Sequence, residues 1–268
     1  MSIRISWLFI SLILCLISCK HTEPVAEKTG YQGQGPNPLV STLTKPVQKQ
    51  WKGIWAFKDS TIFFSNDFDG ARLNGVAYDG DNHFSLWFTA ENTPINPSPW
   101  YGFKIWTNSS QEVVLKFTYQ GSRNRYYPKV SRDGLHFSPI DSISVKPINL
   151  GEGEFGLKAA PEFVEVHLKI DERPTWISAQ ELYTSTRVKQ WVDSLSQKPF
   201  VKNYEIGKSR ENRPLTLMEI NASDAKKALV IISRQHPPEV TGFLAMKSFM
   251  ETLAGDSEQA KEFREEFL

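Results

Sequence analysis

The 268-residue chain carries 31 Lys and Arg against 30 Asp and Glu. No block of like charge is long enough to follow a phosphate backbone, so nucleic acid is excluded as an expected partner. Aromatic residues make up 12% of the chain and concentrate between Trp51 and Phe137, a payload for a packed β core that excludes a disordered chain there. The only cysteines are Cys15 and Cys19, which excludes disulfide scaffolding, a cysteine nucleophile and a thiolate-held metal for everything downstream; a metal there takes His and carboxylate ligands.

Residues 1–18 read as an export signal. Arg4 supplies the positive flank, and the apolar run from Trp7 to Ile17 is too short to span a bilayer as a helix. The run ends in Leu16-Ile17-Ser18-Cys19, which resembles the bacterial lipoprotein box. That resemblance implies cleavage before Cys19, lipidation of Cys19, and an exported, lipid-anchored protein of the bacterial cell envelope whose membrane partner is reached through acyl chains. Residues 19–50 are polar and broken by Gly30, Gly33, Gly35, Pro36, Pro38 and Pro46, the composition of a flexible tether.

Residues 51–172 contain short β-type runs separated by turn signals: Thr61 to Phe64, Phe84 to Phe88, Gly102 to Trp106, Val113 to Tyr119 and Val164 to Leu168. Their spacing predicts an all-β sandwich. Asp69-Gly70, Asp79-Gly80 and Asp133-Gly134 are dipeptides that tolerate positive φ in tight connections. The Asp-rich stretch around Asp79, Asp81 and Asn82 lacks the spacing and terminal Glu of a calcium loop, so turn chemistry is the reading for it, and for the isolated His83 and His136.

After about Asp171 the pattern changes to that of an α/β domain, residues 173–268. Ser185 is placed to cap a helix to about Ser196, with Val188, Trp191, Val192 and Leu195 on one face. Pro214 to Ile220 reads as a strand, and Ala228 to Ile232 as a strand buried on both faces. A helix from Thr241 to Ala254 presents Phe243, Met246, Phe249, Met250 and Leu253, with Gly255 just past its end; a further helix opens near Ser257.

The segment that carries chemistry is Ser233-Arg234-Gln235-His236-Pro237-Pro238-Glu239, set beyond the carboxyl end of the expected buried strand, where open α/β sheets bind ligands. In a turn stiffened by two prolines, the His236 imidazole and the Glu239 carboxylate can converge on one zinc ion. Taken alone, His-x-x-Glu is equally the pattern of a loop histidine beside a solvated carboxylate.

Ile206 to Leu215, followed by a strand and by Arg234 to Glu239, resembles the opening of the zinc metallocarboxypeptidase family typified by carboxypeptidases A and B. The stretch with Leu73, Phe84 to Phe88, Trp100 to Phe103 and Tyr126 to Phe137 is similar to the β-sandwich preceding the catalytic domain in the cytosolic-carboxypeptidase branch. The resemblance covers about Trp51 to Leu268. It implies a β-sandwich followed by the truncated start of an α/β, mixed-sheet zinc carboxypeptidase domain. It also implies Zn2+ as cofactor, His236 and Glu239 as ligands, Arg234 as possible support for the site, and peptide or protein C-termini as partners. The family's second His ligand, its carboxylate-binding Arg and Asn, its Tyr and its general-base Glu are expected downstream of residue 268, so no catalytic residue is assigned within the chain and the fragment is expected to be inactive by itself. The alternatives are a surface binding module, presenting Trp87, Trp100, Tyr101 and Trp106 to a glycan or protein, and a catalytically dead pseudo-peptidase.

Overall fold

The computed structural model describes residues 49–59, 61–90, 98–150, 161–209, 211–221 and 227–267; the export signal, Cys19 and all but the end of the tether lie outside the described residues. Period-two alternation forms the strands. In Gln111–Gln120 the side chains of Val113, Leu115 and Phe117 are at most 1% exposed while their neighbours face outward, and Phe84, Leu86 and Phe88 do the same in His83–Thr89.

Two sheets result. The first is ordered β1-β2-β5-β11-β7-β8: β1 is Ile54–Phe57, β2 Ile62–Ser65, β5 Gly102–Thr107, β11 Thr175–Ser178, β7 Lys129–Ser131 and β8 Ser138–Pro139. The second is ordered β3-β4-β6-β10-β9: β3 is Gly75–Gly80, β4 His83–Thr89, β6 Gln111–Gln120, β10 Pro161–Ile170 and β9 Val145–Leu150. Strands β4 and β6 pair in parallel, because the chain crosses to the other sheet as β5 between them.

Both sheets bury their inner faces in one core that includes Phe64, Phe103, Ile105 and Ile177 from the first and Phe84, Phe88, Phe117 and Val166 from the second. Phe88 lies 5.2 Å from the Tyr101 ring and 5.4 Å from Phe117. Burying each such ring stabilises the fold by about 1.5–3 kcal/mol. Tyr101, expected among the rings of a binding face, is instead wholly buried. Trp100 donates its indole N–H to Gly70 O at 3.0 Å, and Trp106 stacks on Phe63 at 5.2 Å. Both rings are half-buried, and Trp87, the remaining ring expected on such a face, is 38% exposed.

The expected glycine turns carry positive φ at Gly70, Gly80 and Gly134. In the β3–β4 hairpin, however, the two central residues are Asp81 and Asn82, at φ 45° and 60°, which is the primed geometry that matches strand twist. Asn66 fastens the start of the described chain to the sheets: its amide accepts from Gly53 N at 2.9 Å and donates to Trp51 O at 2.6 Å and Leu73 O at 2.8 Å.

The first sheet reaches past residue 172, since β11 lies between β5 and β7, and the described residues fall in one compact unit. Helix α1, Ser185–Leu195, follows. It is capped by Thr184 rather than by Ser185: Thr184 holds the extended backbone a cap requires and accepts from Arg187 N, while Ser185 is already helical. Strands β12, Val201–Lys208, and β13, Pro214–Ile220, form a separate hairpin. Helix α2, Val240–Leu253, then packs Val240 and Phe243 against Tyr183, Trp191 and Val192. Helix α3, Glu258–Glu266, is capped by Ser257, and its buried Arg264 donates to Leu253 O and Gly255 O, closing the carboxyl end of α2.

The expected buried strand at Ala228 to Ile232 is absent. Leu229, Val230, Ile231 and Ile232 are 45%, 78%, 42% and 71% exposed, and the nearest strand geometry is a single bridge between Lys227, just before the segment, and Phe267. A strand buried on both faces needs hydrogen-bonding neighbours and a layer above and below; among the described residues, β12 and β13 pair only with each other.

Candidate metal centre

Residues 233–239 form the loop that enters α2. Pro237 and Pro238 have no N–H and hold φ near −65°, so the loop is organised through its carbonyls. Val240 N donates to Pro238 O at 2.9 Å, and Glu239 N to His236 O at 3.2 Å. This tight return brings the two expected ligands together. His236 Nδ1 lies 2.6 Å from Glu239 Oε1, and His236 N donates to Glu239 Oε2 at 3.1 Å. The ring's hydrogen bond first, and the backbone N–H second, hold the Glu239 carboxyl below the ordinary carboxylate range. Both side chains face solvent, at 71% and 49% exposure.

The donor set fits zinc. Tetrahedral zinc takes imidazole nitrogen and carboxylate oxygen at about 2.0–2.2 Å, which spaces two donors about 3.3 Å apart. The two donors are 2.6 Å apart, so to share an ion they would have to part by less than about 1 Å. Among the described residues no third His, Cys, Asp or Glu joins them. His83, His136 and His167 belong to the sheets or their loops. His136 in particular pairs with Asp133 at 2.7 Å, and that carboxyl, held well below the carboxylate range first by the His136 backbone N–H, serves the 133–136 turn. Cys19 lies outside the described residues.

Arg234 stands two residues before His236 with φ 54°, a left-handed conformation costing a non-glycine residue about 1–3 kcal/mol and kept only where surroundings enforce it. Its guanidinium supplies that enforcement, donating through Nε to Pro237 O at 3.0 Å and through Nη1 to Tyr183 O. Partial burial lowers its pKa from the usual guanidinium value. Two further residues hold the loop and carried no sequence signal. Gln180 Nε2 donates to Pro238 O at 2.8 Å, and Thr241 Oγ1 donates to Gln180 Oε1 at 3.2 Å. A glutamine 56 residues before the histidine has no motif to mark it.

The zinc carboxypeptidase family model matches residues 188–267. A mouse protein, cytosolic carboxypeptidase 3, is 22% identical over 234 residues, covering 78% of this chain but 23% of its own length; the bovine protein of the same name is 22% identical over 237 residues, with the same coverage. The chain thus spans about a quarter of the curated relatives it matches. Among solved structures, a metallo-carboxypeptidase from Burkholderia cenocepacia superposes with a TM-score of 0.59 at 17% identity, over 77% of this chain and 54% of that one. A metallo-carboxypeptidase from Pseudomonas aeruginosa, in complex with (2-guanidinoethylmercapto)succinic acid, superposes with a TM-score of 0.58 at 15% identity, over 76% and 52%. These likenesses are of fold.

Proposed function

From a chain that resembles the zinc metallocarboxypeptidases and whose residues 188–267 match their family model, we propose that the polypeptide is the front part of a zinc-dependent carboxypeptidase that removes residues from peptide or protein C-termini. The observation that carries this reading is the convergence of His236 Nδ1 and Glu239 Oε1 on one point of a proline-stiffened loop, inside the matched stretch. Zinc at that point would supply Lewis-acid chemistry, polarising a scissile carbonyl and acidifying a water. His236 and Glu239 would hold it, with Glu239 contributing negative charge and the loop backbone keeping the two side chains together.

A catalytic zinc takes three protein ligands and works with a general base. Among the described residues two ligands and no base are assigned, and on that reading residues 1–268 are expected to bind zinc weakly and to give no turnover by themselves. We further take residues 51–172, with β11, as a β-sandwich preceding the catalytic domain, and Cys19 as a lipid anchor in a bacterial envelope, where the enzyme meets exported or environmental peptides.

The test is zinc titration of the full chain against a chromophoric chelator, with His236→Ala and Glu239→Ala. Loss of binding in both variants supports the reading, and unchanged binding in either overturns it. Turnover of C-terminal peptides by residues 1–268 would remove the claim of inactivity. Failure of Cys19→Ala to release the protein from membranes would remove the anchor.

A further inference from the structure

Four hydrogen bonds made by side chains other than the ligand pair fasten the loop of residues 233–239 and the first turn of α2, and three of them reach the segment that leaves β11. Gln180 donates to Pro238 O and accepts from Thr241 Oγ1; Arg234 donates to Tyr183 O and to Pro237 O. Pro237 and Pro238 are the two residues between the ligands. As prolines they offer carbonyls only, and both carbonyls are taken, one by each of these side chains. The segment doing the holding is itself fixed. Ala179 N donates to Tyr101 O at 3.0 Å, and β11 immediately before it pairs on both sides, with β5 and β7. Tyr183 is buried against Phe243 of α2, ring centres 4.9 Å apart, with the Arg234 guanidinium 5.9 Å from the Phe243 ring.

We propose that Gln180 and Arg234 are positioning residues for the metal loop, and that through them the two-sheet body, rather than the matched carboxypeptidase stretch alone, sets the spacing of His236 and Glu239. The inference rests on the reading that this loop holds zinc. Its physical content is preorganisation. Two exposed ligands on an unfastened loop lose freedom when the ion arrives, whereas a loop already held at the residues between them loses less, and outer partners of metal ligands are commonly worth 10–100-fold in affinity. Gln180 fits the task because its amide donates and accepts at once, so one side chain spans the loop and the first turn of α2.

The experiment uses the full chain and two readouts. The first is zinc affinity in wild type, Gln180→Ala, Gln180→Glu, Arg234→Ala and Thr241→Val. Gln180→Ala and Arg234→Ala are expected to weaken zinc binding about tenfold or more. Gln180→Glu, which keeps an acceptor for Thr241 but loses the donor to Pro238 O, is expected to behave as the alanine variant does. The second is amide hydrogen exchange of metal-free protein at His236, Glu239 and Val240, where Gln180→Ala is expected to speed exchange while β5 and β11 stay as protected as in wild type. Thr241→Val changes only an exposed hydroxyl and reads the same link should Gln180→Ala not fold; there, slower exchange or unchanged exchange at Val240 overturns the proposal. Zinc affinities within twofold of wild type in both Gln180→Ala and Arg234→Ala, with unchanged exchange, also overturn it. A wild-type chain that binds no zinc defeats the functional reading instead, and exchange alone then decides whether the loop is fastened as described.

Discussion

The sheet body and the stretch from β12 to α3 solve the burial problem to different degrees. In the body, every long strand turns one face into a shared aromatic core, and Phe64, Phe84, Phe103 and Phe117 have no exposed surface at all. In the later stretch, the β12–β13 hairpin exposes Tyr204, Ile206, Leu215 and Leu217, and Val230 and Ile232 stand largely in solvent. The helices there are nevertheless well seated, through Val240, Phe243 and Trp191. A helix completes its own hydrogen bonds and needs only one apolar stripe covered, whereas a strand apolar on both faces needs partners at its edges and layers on both sides. The difference makes the body the better-packed element to which the 233–239 loop is hydrogen-bonded.

The largest expected effect tests that contrast directly. Phe117→Ala should cost about 3–5 kcal/mol, read as a fall in denaturation midpoint, while Leu217→Ala in the hairpin should stay within about 0.5 kcal/mol of wild type; equal costs would break the comparison. Next is Asn66→Ala, which strands Gly53 N–H and the carbonyls of Trp51 and Leu73 and should cost about 1–3 kcal/mol. The double change Val230→Ser and Ile232→Ser should be nearly silent, within about 0.5 kcal/mol. A loss above about 2 kcal/mol would place those side chains in a buried layer in solution.

The smallest effect concerns two His–carboxylate pairs of the same spacing, one in each region. In Asp133–His136 one carboxylate oxygen already receives Ser131 Oγ and the backbone N–H groups of Leu135 and His136, and the other receives the imidazole. In His236–Glu239 one oxygen takes a single backbone N–H, which leaves acceptor capacity for an ion. His136→Ala should therefore leave zinc binding unchanged where His236→Ala removes it. Because the Asp133 pKa is lower in the folded state than in the unfolded chain, its stabilisation is present above the unfolded value, near 3.9, and is lost as pH falls toward the folded value. The gap in denaturation midpoint between wild type and Asp133→Asn should be constant from pH 7 to pH 5 and shrink below about pH 4; a gap that grows on acidification would reverse the assignment.

Much of this was legible in the residues themselves. Alternating apolar positions located β4, β5, β6 and β10, Asp-Gly pairs marked turns that do carry positive φ, and the apolar stripe of α1 set the face that helix buries, whereas in α2 Phe243 is buried with Val240 and Phe249 of the expected stripe is 37% exposed. The His236–Glu239 pair was readable because both members lie on one local turn, where three-residue spacing and two prolines leave few geometries. Alternation, though, says only that one face of a strand is covered, not by what. That β4 pairs with β6 in parallel, that β11 joins the first sheet after residue 172, that residues 228–232 stay outside any sheet, and that Gln180 reaches Pro238 are matters of which distant segments meet, and only the packed tertiary structure decides them.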